Sequence, residues 1–117
     1  DPNNAPVMGS GVVIKYNANL SYCTDGVSAA VFRKVCERAG ASVQTYYNRA
    51  DLPGGSTLGR ISLGKVSIPT VDIGLPQLAM HSSYETAAVA DATALEDAME
   101  AYYSTCLEAT ETGFRVM

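Results

Sequence analysis

Gly11-Val12-Val13-Ile14-Lys15-Tyr16 is the stretch whose reading decides the fold. Val12, Val13 and Ile14 form an uninterrupted β-branched run, and a strand without alternation is one covered on both faces. Lys15 closes the run, where a cation is costly unless it is paired or reaches the rim. Its amine therefore either snorkels to the surface or meets an anion. Upstream, residues 1–11 are rich in Pro, Asn and Gly and read as loop. Downstream, Asn17 to Cys23 is also loop, with Tyr22 either a plain surface tyrosine or a hydroxyl donor.

Beyond that loop, Thr24 or Asp25 is placed to cap a helix over 26–39. Val27, Val31, Val35 and Ala39 recur every four residues there, with Arg33, Lys34, Glu37 and Arg38 on the polar side. Gly40 stops the helix, and a second strand follows at about 42–47. Asp51-Leu52-Pro53-Gly54-Gly55-Ser56-Thr57-Leu58-Gly59 is a glycine-rich turn leading into a short helix over 58–63. Ile68 to Ile73 reads as a third strand. A last helix over 91–106 takes Asp91 or Thr93 as N-cap, Thr93 and Glu96 as a capping box, and Leu95, Met99, Tyr102 or Tyr103 and Cys106 as its buried stripe.

Strands alternating with helices predict an α/β sandwich with a mostly parallel sheet. Ligands in such sheets sit beyond the carboxyl ends of the strands, where Lys15, the glycine turn and His81 all fall.

Length and charge narrow the classes of function. A chain of 117 residues and 12.3 kDa is at most one domain. With 17% charged residues and a net charge of −4, it offers no broad attraction to phosphate backbones or anionic membranes, so nucleic acid and membrane partners are not expected. No apolar run approaches the roughly 18 residues of a bilayer span, and the start, Asp1-Pro2-Asn3-Asn4, lacks the layout of a signal peptide. Cys23, Cys36 and Cys106 are odd in number and lack C-x-x-C spacing. They read as free thiols in a reducing compartment, the cytoplasm.

Two features carry chemistry only in context. The glycine turn lacks the lysine of a phosphate-binding loop and the spacing of a dinucleotide fingerprint, so it is either a plain turn or a loop that approaches a ligand closely. His81 is the single histidine. A zinc site needs three or four donors at set geometry, and no second histidine is present to complete one.

Four blocks taken together go further. Gly11-Val12-Val13-Ile14-Lys15-Tyr16-Asn17-Ala18-Asn19, then Tyr22, then Asp51 to Gly59, then Val71-Asp72-Ile73-Gly74-Leu75-Pro76-Gln77-Leu78-Ala79-Met80-His81-Ser82 closely resemble the aspartyl aminopeptidase family of two-zinc metallopeptidases. The match runs in order from about residue 1 to 106. It implies a three-layer α/β sandwich of the zinc-peptidase type, of which residues 1–117 are the C-terminal segment of the catalytic domain. It implies zinc as cofactor, two ions per complete active site, with His81 as one ligand. It also implies a substrate pocket for an N-terminal Asp or Glu of a peptide, lined by Lys15 and Tyr22 with Gly54, Gly55, Ser56 and Thr57 alongside. Full-length members carry an inserted β-rich dimerisation domain and form homo-oligomeric dodecamers.

The same resemblance places the other zinc ligands and the glutamate general base upstream of this segment, so the chain alone is expected to be inactive. Ser82-Ser83-Tyr84-Glu85 departs from members with an arginine before the glutamate, and Gly26 stands where alanine is common. The tail from Thr110 to Met117 carries no resemblance. Two rivals remain: a non-catalytic assembly or binding module derived from that fold, and a related zinc hydrolase with another substrate preference.

Overall fold

In the computed structural model, which describes residues 1–117, β1 (Val12–Tyr16) lies between two partners. It pairs in parallel with β2 (Val43–Tyr47), Val12 opposite Val43 and Tyr16 opposite Tyr47. On its other side it pairs antiparallel with β3 (Ile73–Gly74). A parallel pair needs a crossover, and α1 (Gly26–Ala39) supplies it.

The boundaries of α1 follow from its ends. The Asp25 carboxylate accepts from the Ser28 amide at 2.7 Å while the Asp25 amide donates back to the Ser28 hydroxyl at 3.0 Å. Such a reciprocal cap contributes about 1 kcal/mol. Gly40 ends the helix in the left-handed region, φ 67°, where a side chain would be strained. The inward face is Ser28, Ala29, Phe32, Val35 and Cys36, rotated from the Val27-Val31-Val35-Ala39 stripe that the spacing predicts. Val27 is 48% exposed, while Phe32 is 4% exposed and lies in the core.

Val12 and Ile14 meet Ala29, Phe32 and Cys36 of α1 and Ala98 of α3 (Val89–Tyr103) in one buried cluster. α3 starts earlier than its composition predicts, at Val89, with Ala88 in the capping position and no side-chain cap. The Asp91 carboxylate is fully buried and spent elsewhere, accepting the amides of Gly9 at 2.7 Å and Gly11 at 2.8 Å. The Thr93 hydroxyl donates to the Val89 carbonyl, so no capping box forms. Of the expected stripe, Leu95 packs against the core, whereas Tyr102, Tyr103 and Cys106 are exposed.

The expected third strand is corrected by the coordinates, and the sheet that β1 joins is small and mixed. Only Ile73 of the Ile68–Ile73 run pairs as strand, together with Gly74 after it. Pro69 has no amide to give, and upstream of it the Ile68 amide turns back to Val66 while the Thr70 hydroxyl donates to Ile68. The remaining pairs are antiparallel hairpins, β4 (Gln77–Leu78) with β5 (Thr86–Ala87), and β6 (Leu107–Thr110) with β7 (Gly113–Val116). The second hairpin takes up the C-terminal tail and is tied to α1 by Arg38, whose guanidinium donates to the Val116 carbonyl at 2.8 Å.

The N-terminal loop guards the free edge of β2. Asn4 bridges the amide and carbonyl of Tyr47, and Gln44 bridges those of Val7. Asn4 thus satisfies the edge at Tyr47, where pairing would otherwise be invited, and Gln44 pins the loop beside it. α2 (Leu58–Leu63) forms where the glycine turn ends but buries none of its residues. No helix is long and apolar enough to cross a membrane.

Candidate functional site

Alternation along β1 separates core from site. Val12 and Ile14 face the helices, so Val13 and Lys15 face the other way. There they line a cavity of about 380 Å³ with Tyr22, Tyr46, Pro76 and Met80. The Lys15 amine stands 5.6 Å from the centroid of the Tyr22 ring, within reach of a cation–π contact. No carboxylate pairs with it, since the ion pairs of the chain involve Lys34, Arg49 and Arg115. Gly74 leaves room for this amine, because a Cβ there would lie 2.9 Å from Lys15 Nζ.

Tyr22 is held in a loop beside the glycine turn. A Cβ on Gly55 would lie 3.7 Å from the Tyr22 hydroxyl. Burial pushes this phenol up from its ordinary value, with Tyr46 and Asp72 adding to the effect. It is therefore a neutral donor at physiological pH. The turn itself folds over Asn48, whose amide donates to the Arg49 carbonyl at 3.1 Å and whose oxygen accepts from Tyr46 at 3.1 Å. A Cβ on Gly54 would come within 2.6 Å of Asn48 Nδ2, so only glycine fits without displacing that side chain. Gly54, Gly55 and Ser56 are exposed.

Thr57 is different. Its hydroxyl donates to Asp72 Oδ2 at 2.9 Å. The same oxygen accepts the Cys23 amide at 2.8 Å and the Cys23 thiol at 3.0 Å. Asp72 is also held through its backbone: its amide donates to the Thr24 hydroxyl at 2.8 Å and its carbonyl accepts from Lys15 at 2.9 Å. Residue patterning does not single out Asp72. The available signal is a lone carboxylate inside an apolar run, which is rare unless it has partners. Burial, followed by the hydrogen bond to Asp72, pushes the Cys23 thiol up to about 12. A protonated thiol is neither nucleophile nor metal ligand at neutral pH.

His81 sits between β4 and β5 and is exposed. Its backbone is in the left-handed region at φ 69°, as is Ala79 at φ 54°. Non-glycine residues held there cost about 1–3 kcal/mol each. The His81 amide donates to the Glu85 carboxylate, which closes the turn. Met80 lines the cavity that holds Lys15, so the imidazole belongs to the next residue along from the pocket wall. An accessible imidazole fits the role of a zinc donor. The chain's own residues nowhere gather three or more His, Cys, Asp or Glu side chains into a metal-holding group, so what fits is one ligand and not a whole site.

Comparison with known proteins bears on most of the chain. Residues 1–103 match the family model described as aminopeptidase I zinc metalloprotease (M18). Over 104 residues the chain is 44% identical to a probable M18 family aminopeptidase 2 of Mycobacterium tuberculosis, covering 89% of this chain and 24% of that protein. It is 46% identical over 93 residues to the aspartyl aminopeptidase of Dictyostelium discoideum, covering 80% and 19% respectively. Among solved structures, yeast aminopeptidase 1 superposes with a TM-score of 0.73 at 24% identity, over 87% of this chain and 22% of that one. The dodecamer of Saccharomyces cerevisiae mApe1 gives the same values. At that identity the likeness speaks for the fold. The chain spans about a quarter, or less, of the length of the curated relatives it matches. By its match over residues 1–103, it belongs to the M18 family of zinc metalloproteases.

Proposed function

We propose that this chain is the part of a zinc aminopeptidase that recognises an acidic residue at a peptide's N-terminus and contributes one zinc ligand. The observation that carries this reading is the Lys15 amine, free of any carboxylate partner, beside Tyr22 in a cavity of about 380 Å³. A substrate carboxylate entering that cavity would gain a charge-assisted hydrogen bond, about twice as strong as a neutral one. Tyr22 donates its hydroxyl to the same carboxylate. Gly54, Gly55 and Ser56 form the rim, where bare backbone permits close approach. Thr57 supports that rim through Asp72.

His81 is the chain's zinc donor in this reading. Bound zinc polarises a carbonyl and makes a nucleophile of water at neutral pH. The other ligands and the general base belong to polypeptide outside this chain, which is therefore inactive by itself. In the complete enzyme the small mixed sheet described here is part of a larger three-layer α/β sandwich with a mostly parallel sheet. The assembly is a homo-oligomer, a dodecamer by analogy with mApe1, and works in the cytoplasm.

The test is a panel of Asp-, Glu-, Lys- and Leu-anilides with the complete enzyme and its Lys15→Met variant. A lost hydrogen bond to a charged group costs about 1.5–3 kcal/mol, or roughly 10- to 100-fold in kcat/KM for Asp and Glu, while hydrolysis of Leu-anilide stays within about threefold. An unaltered preference would defeat the reading.

A further inference from the structure

Asp72 joins three of the segments around the pocket: β1, the Tyr22 loop and the end of the glycine turn. Its carbonyl accepts from Lys15 on β1, its amide donates to Thr24, and its Oδ2 accepts from Cys23 and from Thr57. Tyr22 precedes Cys23, and the glycine turn ends at Thr57. Two residues beyond Asp72, Gly74 lies against the Lys15 amine. Packing allows little play in this arrangement: a Cβ on Gly59 would come within 2.5 Å of Cys23 Sγ and 3.4 Å of Asp72 Oδ2. The carboxylate itself does not line the cavity, whose wall includes Lys15, Tyr22 and Tyr46.

We propose that Asp72 is the positioning residue of the pocket: through one oxygen it fixes the Tyr22 loop against the end of the glycine turn, and so holds Tyr22 and the rim at the spacing that an acidic side chain needs beside Lys15. This inference rests on the pocket assignment made above and names the group that sets its geometry. Because all three donors converge on Oδ2, an acceptor at that place matters more than the charge it carries. Asp72→Asn retains such an oxygen, and Asp72→Ala removes it.

The experiment is steady-state kinetics of the complete enzyme on Asp- and Leu-anilide, with hydrogen exchange of the Cys23 amide read in parallel. Asp72→Ala is expected to raise KM for Asp-anilide about tenfold with kcat within about threefold, to leave Leu-anilide within about threefold, and to speed exchange at Cys23, the KM change being that of one weakened hydrogen bond from the displaced Tyr22 to the substrate carboxylate. Asp72→Asn is expected to restore KM to within about threefold of the parent. If Asp72→Ala does not fold, Thr57→Val removes one of the donors with little change in shape and should raise KM for Asp-anilide alone, by about threefold. Equal losses on both substrates, equal behaviour of Ala and Asn, or faster exchange at Cys23 with unchanged KM would each overturn the inference. Lys15→Met separates the two claims: if it leaves the substrate preference unaltered, the pocket assignment falls regardless of Asp72.

Discussion

Two parts of this molecule are built on different principles. The unit β1–α1–β2 with α3 is held by apolar burial, with Val12, Ile14, Val35, Cys36 and Ala98 wholly inaccessible. The segment from Asn48 to Ala88 has a single buried residue, Pro76, and leaves Leu58 78% and Ile61 64% exposed. Polar links through Asn48, Thr57, Asp72 and Glu85 tie most of that segment together, and only Val71 and Ile73 of it pack against the apolar core cluster. Most residues proposed to touch substrate or metal lie in the polar part, while Lys15 extends into it from the apolar part. A rigid strand thus presents the charge, and the surrounding loops shape its environment.

The contrast can be broken by matched truncations. Phe32→Ala in the core should cost about 3–5 kcal/mol, whereas Leu58→Ala on α2 should stay within about 0.5 kcal/mol, both read by urea denaturation of the chain. Comparable losses would mean that the second region has a core of its own. Next in size is Asp91→Ala, which strands the Gly9 and Gly11 amides and should cost about 2–4 kcal/mol. The loss should be accompanied by faster hydrogen exchange at those two amides.

A smaller effect tests the boundary between the regions. In the folded chain Cys23 keeps its proton up to about pH 12, because of burial first and Asp72 second, while an unfolded thiol loses its proton near pH 8.5. A group whose pKa is raised by folding favours the fold fully below the unfolded value and loses that contribution as pH rises toward the folded one. Stability should therefore fall between about pH 8.5 and 12, and Cys23→Ala should flatten that slope. Smallest of all, a zinc titration of this chain should show weak binding that disappears with His81→Ala, as one imidazole without further donors implies.

What could be read from residue order follows the same division. Both ends of α1 were legible because Asp25, Ser28 and Gly40 act on their own neighbours, and α2 was legible because a glycine turn hands over to it. The start of α3 was not, since Asp91 resembles a cap but answers to amides 80 and 82 residues away. The Ile68–Ile73 run looks like a strand, but Pro69 and the local bonds of Ile68 and Thr70 confine pairing to its last residue and Gly74. At the site, Lys15 and Tyr22 do come together. The Thr57 hydroxyl donates to Asp72. Such a link joins residues far apart in the chain, and no spacing rule encodes it.

The central claim is that the solitary imidazole of His81 binds zinc whose remaining ligands come from outside this chain, beside a pocket governed by Lys15. Metal content of the purified complete enzyme tests it most directly. His81→Ala should lower bound zinc from two ions per subunit to one while Lys15→Met keeps both; two zincs retained by a folded His81→Ala variant would contradict it.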